Sequence, residues 1–440
     1  MGCSNMRAGI AWRRLFTREH LHEHYFEKVA CSPSTGLDKI TPKNFERDLD
    51  NNISLILRKV FDGTYSFTRY RQLLFLKGPN KPPRQVCVPT IRDKLTLSVL
   101  NELLCEVFGI SCKTPMPHSV IHEISGNLHR FDSFIKIDVS SFYASIPHDP
   151  LLRKLRRKIR TPEIMLLIQN AIETEALSNA TSQKEHNRRT LGLPEGLPIS
   201  NALANIYLSD IDRKFEADSR IQYFRYVDDI LILVNNSDMT AIEQMMVSDL
   251  SRLGLKTNEK TDRGQISQGF EYLGYFISPA GATVRKSSKL KFERSLEELI
   301  GKLKNEPPEY AEWKLNLKIT GFVYNDHKYG WVFFYSQITD VSLLYHFDAL
   351  VKKLLIRYKM DSSVKPKRYV RTYHEIQQAL HTTTYVPNFD RYTIDDKRQI
   401  VSRVYKINAS VLKDPEVEIK FSNIISREIR DIEKDIQSFS

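Results

Sequence analysis

The 440-residue sequence predicts an α+β fold, and three observations carry that expectation. Between about residues 131 and 280, strand-like and helix-like stretches alternate irregularly, without the regular β-α-β cadence of a doubly wound sheet. From 281 onward, helical spacing of apolar residues dominates. The composition, 41% hydrophobic with 27% charged residues, suits packed cores and excludes a disordered tail or a fibre.

Length alone allows two to four domains. The five cysteines, Cys3, Cys31, Cys87, Cys105 and Cys112, are scattered without a C-x-x-C pair, which argues against a disulfide framework or a structural zinc site. Polar residues interrupt the best apolar run, Leu97 to Ile110, so no membrane partner is expected. The opening Met1 to Met6 lacks the Ser or Thr of a lipidation signal and reads as an ordinary cytoplasmic start. Lys and Arg exceed Asp and Glu by 65 to 53, a formal charge of +12 that points to a polyanion such as nucleic acid.

In chain order, Arg71 to Leu76 and Gln85 to Val88 read as paired strands around the turn-rich Gly78 to Pro83. Leu95, Val99, Leu103 and Val107 then mark one face of a helix. Phe134 to Val139 alternates and is β-branched, so a strand should end near Asp138. Asp149-Pro150 supplies an N-cap and first-turn proline for a helix beginning at the basic run Arg153 to Arg160. Residues 180 to 190 read as a loop. Ser200 to Lys214 is helical in period, Tyr223 to Leu233 is a hairpin broken at Asp228-Asp229, and Ile242 to Leu253 is a helix closed by Gly254. Phe270 to Ile277 reads as one more strand. Residues 281 to 371 hold 18 basic against 10 acidic residues, so most of the net charge is concentrated there.

Two acidic sites stand at strand ends, Asp138 and Asp228-Asp229. Adjacent carboxylates on a tight apolar hairpin repel each other, which suits a bound cation; a solvated turn is the other reading of the dipeptide. Brought together, the three carboxylates would suit two Mg²⁺ ions about 3.5–4 Å apart, the arrangement used for in-line phosphoryl displacement.

The order of segments along the chain resembles that of reverse transcriptases, especially bacterial enzymes related to group II intron proteins. Gly36-Leu37-Asp38 and Pro82 to Leu95 resemble the family's finger segments, and Asp138 to His148 its first catalytic motif. Leu191 to Leu208, with Gly-Leu-Pro-Glu-Gly-Leu-Pro-Ile-Ser-Asn, is similar to the second, and Tyr226 to Asp229 is the YxDD box. Leu253-Gly254-Leu255 with Asn258 and Lys260, then Phe270 to Tyr275, fit the motifs that follow. The resemblance covers about residues 36 to 360.

The resemblance implies a right-hand polymerase with an α-helical C-terminal extension. Residues 1–130 would hold the N-terminal region and fingers, 131–280 the palm with part of the fingers at about 150–190, 281–360 an α-helical thumb, and 361–440 the extension. Catalysis would fall to Asp138, Asp228, Asp229 and Lys260, with Asp138, Val139, Asp228 and Asp229 holding two Mg²⁺ ions for which Mn²⁺ can substitute. Lys77, Arg84, Tyr143, Glu195 and Gly196 would meet the nucleotide, Tyr143 by crowding the sugar 2′ position and Gly196 by letting backbone approach the templating base. Tyr226, Tyr272, Leu273, Gly274, Arg285, Lys286, Lys365, Lys367, Arg368 and Arg371 would meet nucleic acid, with Tyr369 and Tyr373 as stacking platforms. Each has a plainer reading: Tyr143 as a packed aromatic, Lys77 and Arg84 as a solvated basic hairpin, Lys260 as an exposed lysine, the other cations as solvated helix faces.

Glu195 departs from the family's usual Gln, and a carboxylate near a triphosphate needs a partner such as Arg84 or a proton. The chain also lacks the Val-Thr-Gly signature that marks retrons. The implied function is RNA-directed DNA synthesis from dNTPs, with a structured non-coding RNA as template, DNA as product and a role in bacterial antiphage defence. A retron-like enzyme, an RNA-dependent RNA polymerase and a catalytically silent RNA-binding scaffold are the alternatives.

Overall fold

The computed structural model describes residues 2–30, 32, 34–75, 83–177, 189–258 and 261–436, with the backbone alone for 2–7. Lys77, Lys260 and the loop expected at 180–190, apart from its last two residues, lie outside them. The class is α+β, as expected. The chain divides into two compact units, one made of Met1–Thr114 with Ile135–Arg263, the other of Pro115–Phe134 with Gly264–Ser440.

The strands of the first stretch are β1 (Tyr70–Phe75), β2 (Arg84–Val88), β3 (Ser133–Asp138), β4 (Ala176–Leu177), β5 (Ile221–Tyr226), β6 (Asp229–Val234) and β7 (Asp262–Gln265). β1 and β2 pair antiparallel as expected, Arg71 opposite Val88 and Phe75 opposite Arg84, and β4 adds a parallel edge. A second sheet has the order β5-β6-β3-β7. The helix Ile91–Phe108 packs among other helices, including Gly2–Leu15, Arg18–His24 and Ser200–Glu216, and its Leu95, Val99, Leu103 and Val107 lie in the core as their spacing requires. By length and composition alone the run Ile91–Arg130 is apolar enough to cross a membrane; eleven of the eighteen residues of its first helix are buried in the protein.

That helix starts at Thr90, whose hydroxyl accepts from the Asp93 backbone N–H. Asp93 is fully buried and takes hydrogen bonds from Tyr65 Oη (2.8 Å), the Thr68 N–H (3.0 Å) and Thr90 Oγ1 (2.8 Å). Burial pushes its carboxyl above the usual range while those donors pull it back. At the helix end, Cys105 Sγ lies 3.2 Å from Cys112 Sγ, a proximity that scattered cysteines do not announce in the sequence.

Two expected boundaries shift. The helix expected at Arg153 runs His148–Arg156, so Asp149 and Pro150 occupy its first turn and the basic residues its last, where they face the negative end of the helix dipole. The expected strand Phe270 to Ile277 is a hairpin of β8 (Phe270–Tyr272) and β9 (Tyr275–Ser278), because Leu273 and Gly274 both adopt positive φ, 45° and 83°.

In the second unit β10 (Gly281–Val284) extends that hairpin, and β11 (Phe322–Tyr324) pairs with β12 (His327–Tyr329). The rest is helical, as the spacing after 281 requires. Phe292 stacks on Trp331 at 4.7 Å, and Phe347 and Tyr369 close edge-on around it. A further core joins Phe322, Phe389 and Val401 to Val417, Phe421, Ile424 and Ile425 of the helix Asp414–Glu433. Lys314 and Lys318 of the helix Pro308–Thr320 pair there with Glu428 and Asp435. Two half-buried or buried ion pairs fix the register of those helices, each being costly to break once desolvated.

Candidate active site

The acidic residues meet through the backbone. Tyr226 lies opposite Asp229 in the β5–β6 register, so the hairpin loop has two residues, Val227 and Asp228, and Asp229 begins β6. The expected break at Asp228-Asp229 therefore falls one residue earlier. Such two-residue loops need positive φ, and Val227 has φ 59°. The Val139 N–H donates to the Asp228 carbonyl at 3.2 Å, which brings the residue after Asp138 onto the tip of the hairpin. Asp138 is exposed and Asp228 and Asp229 are half-buried, so all three stand at one end of the sheet with access to solvent.

The segment before Lys260 closes the other side of Asp138. Ser140 N–H donates to the Lys256 carbonyl (2.8 Å), Asn258 N–H to the Asp138 carbonyl (2.9 Å), and Asn258 Nδ2 to the Asp138 carboxylate. Asn258 thus fixes one oxygen of Asp138, a role its sequence position did not announce. The chain reverses after Asp138 through Ser141 at φ 47°, and Phe142 enters the core while Tyr143 remains half-buried.

Beneath the hairpin lies a polar chain that the sequence did not reveal. Arg225 holds Asp212 of the helix Ser200–Glu216 with Nε at 2.7 Å and Nη2 at 2.6 Å, and Tyr223 Oη donates to the same carboxylate at 2.8 Å. Nη1 of Arg225 reaches Asn205 Oδ1 (3.0 Å) and the Val227 carbonyl (2.9 Å). Asn205 and Asn201 both donate to Thr114 Oγ1, at 3.0 and 2.9 Å, and Tyr143 Oη lies 3.4 Å from Asn201 Oδ1. Burial works against the Arg225 charge, and the Asp212 carboxylate overrides it and holds the guanidinium above its ordinary range. Tyr143 is pushed up to about 12, by burial first and then by the Asp228 carboxylate, so its hydroxyl stays protonated at neutral pH.

Glu195 has the partner its charge requires: Arg84 Nε donates to its Oε2 at 3.1 Å. The Pro194-Glu195-Gly196 turn is clamped from both sides, the Cys87 N–H donating to the Glu195 carbonyl (2.6 Å) and Ser200 Oγ to the Pro194 carbonyl (2.6 Å). Gly196 has φ 95°, and a Cβ there would come within 2.7 Å of Val86 Cγ1 and 2.9 Å of the Cys87 carbonyl. Close packing on β2 accounts for this glycine, where approach to a templating base was expected.

Of the expected nucleic-acid contacts, Tyr272 and Leu273 are 1% and 6% exposed and Gly274 is buried, its carbonyl taking the Arg285 N–H at 2.9 Å. The Tyr272 and Leu273 side chains are turned into the core by the hairpin and Gly274 is covered, so none of the three stands exposed as a nucleic-acid contact would. Tyr369 is likewise fully buried, and Tyr373 Oη is held by the Ile338 carbonyl at 2.8 Å. Tyr226 is half-buried. Arg285 lies 3.7 Å from Glu271, whereas Lys286, Lys365, Arg368 and Arg371 are exposed. Arg368 pairs with Asp348 and Arg371 with Glu375, while Lys367 Nζ caps the Tyr385 carbonyl at 2.6 Å.

Residues 76–277 match the family described as "Reverse transcriptase (RNA-dependent DNA polymerase)". The chain is 21% identical over 290 residues to the group II intron-encoded protein LtrA of Lactococcus lactis, covering 63% of this chain and 46% of that one. It is 25% identical over 204 residues to an uncharacterized 91 kDa protein in a cob intron of Schizosaccharomyces pombe, covering 43% and 24%. It therefore spans about a quarter to a half of the length of these relatives. Among solved structures, apo telomerase from Candida tropicalis aligns with 15% identity and a TM-score of 0.45, over 81% of this chain and 69% of that one. The segment 76–277 is thus similar to reverse transcriptase domains, with relatives among intron-encoded proteins.

Proposed function

We propose that the protein is an RNA-directed DNA polymerase that extends a 3′-hydroxyl with deoxynucleotides on an RNA template. The observation that carries this reading is the junction of Asp138 with the Val227-Asp228 loop through the Val139 hydrogen bond, inside a reverse transcriptase domain. Asp138, Asp228 and Asp229 offer hard carboxylate oxygens, a donor set that suits Mg²⁺, with Mn²⁺ as substitute. Two such ions, when bound, would activate the 3′-hydroxyl and neutralise charge on the triphosphate.

The chain's own residues do the positioning. Asn258 orients Asp138, and Arg225 supports the hairpin that carries Asp228. The Tyr143 ring stands near Asp228 as a steric screen against a ribose 2′-hydroxyl. Arg84, held by Glu195, would bring its guanidinium charge to phosphate oxygens. Lys77 and Lys260 keep their proposed roles at the triphosphate and pyrophosphate on the strength of the sequence resemblance.

The finer reading is a cytoplasmic bacterial enzyme that copies a dedicated structured RNA in antiviral defence. Its support is the resemblance to stand-alone defence reverse transcriptases and the basic surplus at 281–371, where exposed Lys286, Lys365, Arg368 and Arg371 suit phosphate contacts. Primer extension on an RNA template, with dNTPs and NTPs in parallel and Asp228→Asn as control, tests the chemistry. Extension with dNTPs by the wild type alone supports it. A preference for NTPs would make the protein an RNA polymerase, and extension unaffected by Asp228→Asn would remove the proposed site.

A further inference from the structure

Away from the carboxylates, the helix Arg18–His24 lays two histidines against the helix Ile91–Phe108. His20 and His24 stand one turn apart on the first helix, and Ser98 and Glu102 one turn apart on the second. His20 Nε2 is 3.0 Å from Glu102 Oε2, and His24 Nδ1 is 3.5 Å from the same oxygen. One donor atom from each of the three residues falls within 4.8 Å of the others. For a tetrahedral ion with bonds of about 2.0–2.2 Å, neighbouring ligand atoms stand about 3.3–3.6 Å apart; the two histidine–Glu102 separations, 3.0 and 3.5 Å, are close to that, and the third lies within 4.8 Å.

The second nitrogen of His24 is already engaged. Its Nε2 lies 2.7 Å from Ser98 Oγ, so an Nε2–H donated to that hydroxyl leaves the lone pair on Nδ1, the nitrogen that faces Glu102. Metal-bound histidines are oriented in this way, by a hydrogen bond from the ring nitrogen that does not ligate. His24 is buried while His20 and Glu102 are half-buried, so the cluster has one side open to water.

We propose that His20, His24 and Glu102 bind one divalent cation of the zinc class, with water in the fourth position. Two imidazoles and one carboxylate favour Zn²⁺ or Co²⁺ over Mg²⁺, which takes oxygen donors and gives up its water reluctantly. The site is therefore chemically distinct from the carboxylates at Asp138 and Asp228. Its ion ties the helix Arg18–His24 to the helix Ile91–Phe108. The sequence hides it because the third ligand lies far along the chain from the two histidines.

The full-length protein, kept in excess Mg²⁺ to occupy the carboxylates, is titrated with Zn²⁺ against a chromogenic chelator and with Co²⁺ by visible absorption. The expected result is one Zn²⁺ per chain beyond what the His20→Gln/Glu102→Gln variant takes. Tetrahedral Co²⁺ bands should form without a sulfur charge-transfer band. Ser98→Ala should weaken Zn²⁺ binding by about 10–100-fold. Circular dichroism checks that the variants fold; if the double variant does not, Glu102→Gln alone decides, since loss of its Co²⁺ bands supports the site and unchanged bands overturn it. Wild-type protein that takes no more Zn²⁺ than the double variant overturns the proposal. So does a Zn²⁺ equivalent that survives the double substitution and disappears in Cys105→Ser, which would assign the ion to the thiol pair.

Discussion

Arg225 reaches two residues along its own chain, its Nη1 donating to the carbonyl of Val227 at 2.9 Å while the rest of the guanidinium grips Asp212. Val227 is β-branched and sits at φ 59°, a conformation costing on the order of 1–3 kcal/mol that persists only where its surroundings enforce it. The buried arginine supplies part of that enforcement, directly beneath the proposed metal-binding aspartate.

Asp212→Ala should lower stability by about 3–5 kcal/mol, because it strands a buried guanidinium. Replacing both partners, Asp212→Leu with Arg225→Met, should recover most of that loss in chemical denaturation. Primer extension by the double variant should still fall about tenfold or more, through kcat rather than KM, because the Val227 carbonyl has lost its donor. Normal extension by a stable double variant would show that the brace has no part in the reaction.

Asp138→Asn and Asp228→Asn should each cut extension by about a thousandfold, equivalent to about 4 kcal/mol of barrier. Thermal unfolding should move up or stay level, since neutralising one of several clustered carboxylates relieves repulsion. A large drop in Tm would instead make these residues structural.

Glu195→Gln should raise the KM for dNTPs by about three- to tenfold. The Arg84–Glu195 pair is partly exposed, so the effect belongs to orientation of the guanidinium and not to a large binding energy. Steady-state kinetics with Arg84→Ala alongside checks this, and equal KM values for wild type and Glu195→Gln would place the pair outside the nucleotide's path.

Tyr143→Ala should lower discrimination between dNTPs and NTPs by roughly 10–100-fold, while Tyr143→Phe keeps it, because the ring and not the distant Asn201 contact does the excluding. Competition between matched nucleotides on one template measures the ratio. Loss of discrimination in the phenylalanine variant would transfer the role to the hydroxyl.

Cys105 shares a hydrogen bond with Cys112 at 3.2 Å, and that bond lowers its pKa to about 7, below the range of an ordinary thiol. Below that pH the sulfur is protonated, and above it the thiolate accumulates, so iodoacetamide labelling should rise through about pH 7. Cys112, whose pKa is raised by the same bond and by burial, should label only after Cys105 is replaced by Ser. A labelling midpoint near 9 for Cys105 would mean that the two thiols do not share a proton.

The acidic residues, the helix from Ile91 and the β5–β6 hairpin could be read from the chain because each is local: a period, a two-residue turn, a strand that ends in Asp. The Glu195 departure could also be read, as a charge in need of a partner, with Arg84 as one candidate. The sequence could not tell that Tyr272 and Tyr369 face inward, since an aromatic beside cations reads alike in a stacking platform and a core. The supports of the site, Arg225 to Asp212, Asn205 to Thr114 and Asn258 to Asp138, join residues from 13 to 120 positions apart. A buried polar group must find its hydrogen bond wherever the packed chain brings a partner, and no local pattern encodes which partner that is. The motifs that resemble those of reverse transcriptases were therefore written in the sequence, and the network that holds them in place was decided by the tertiary structure.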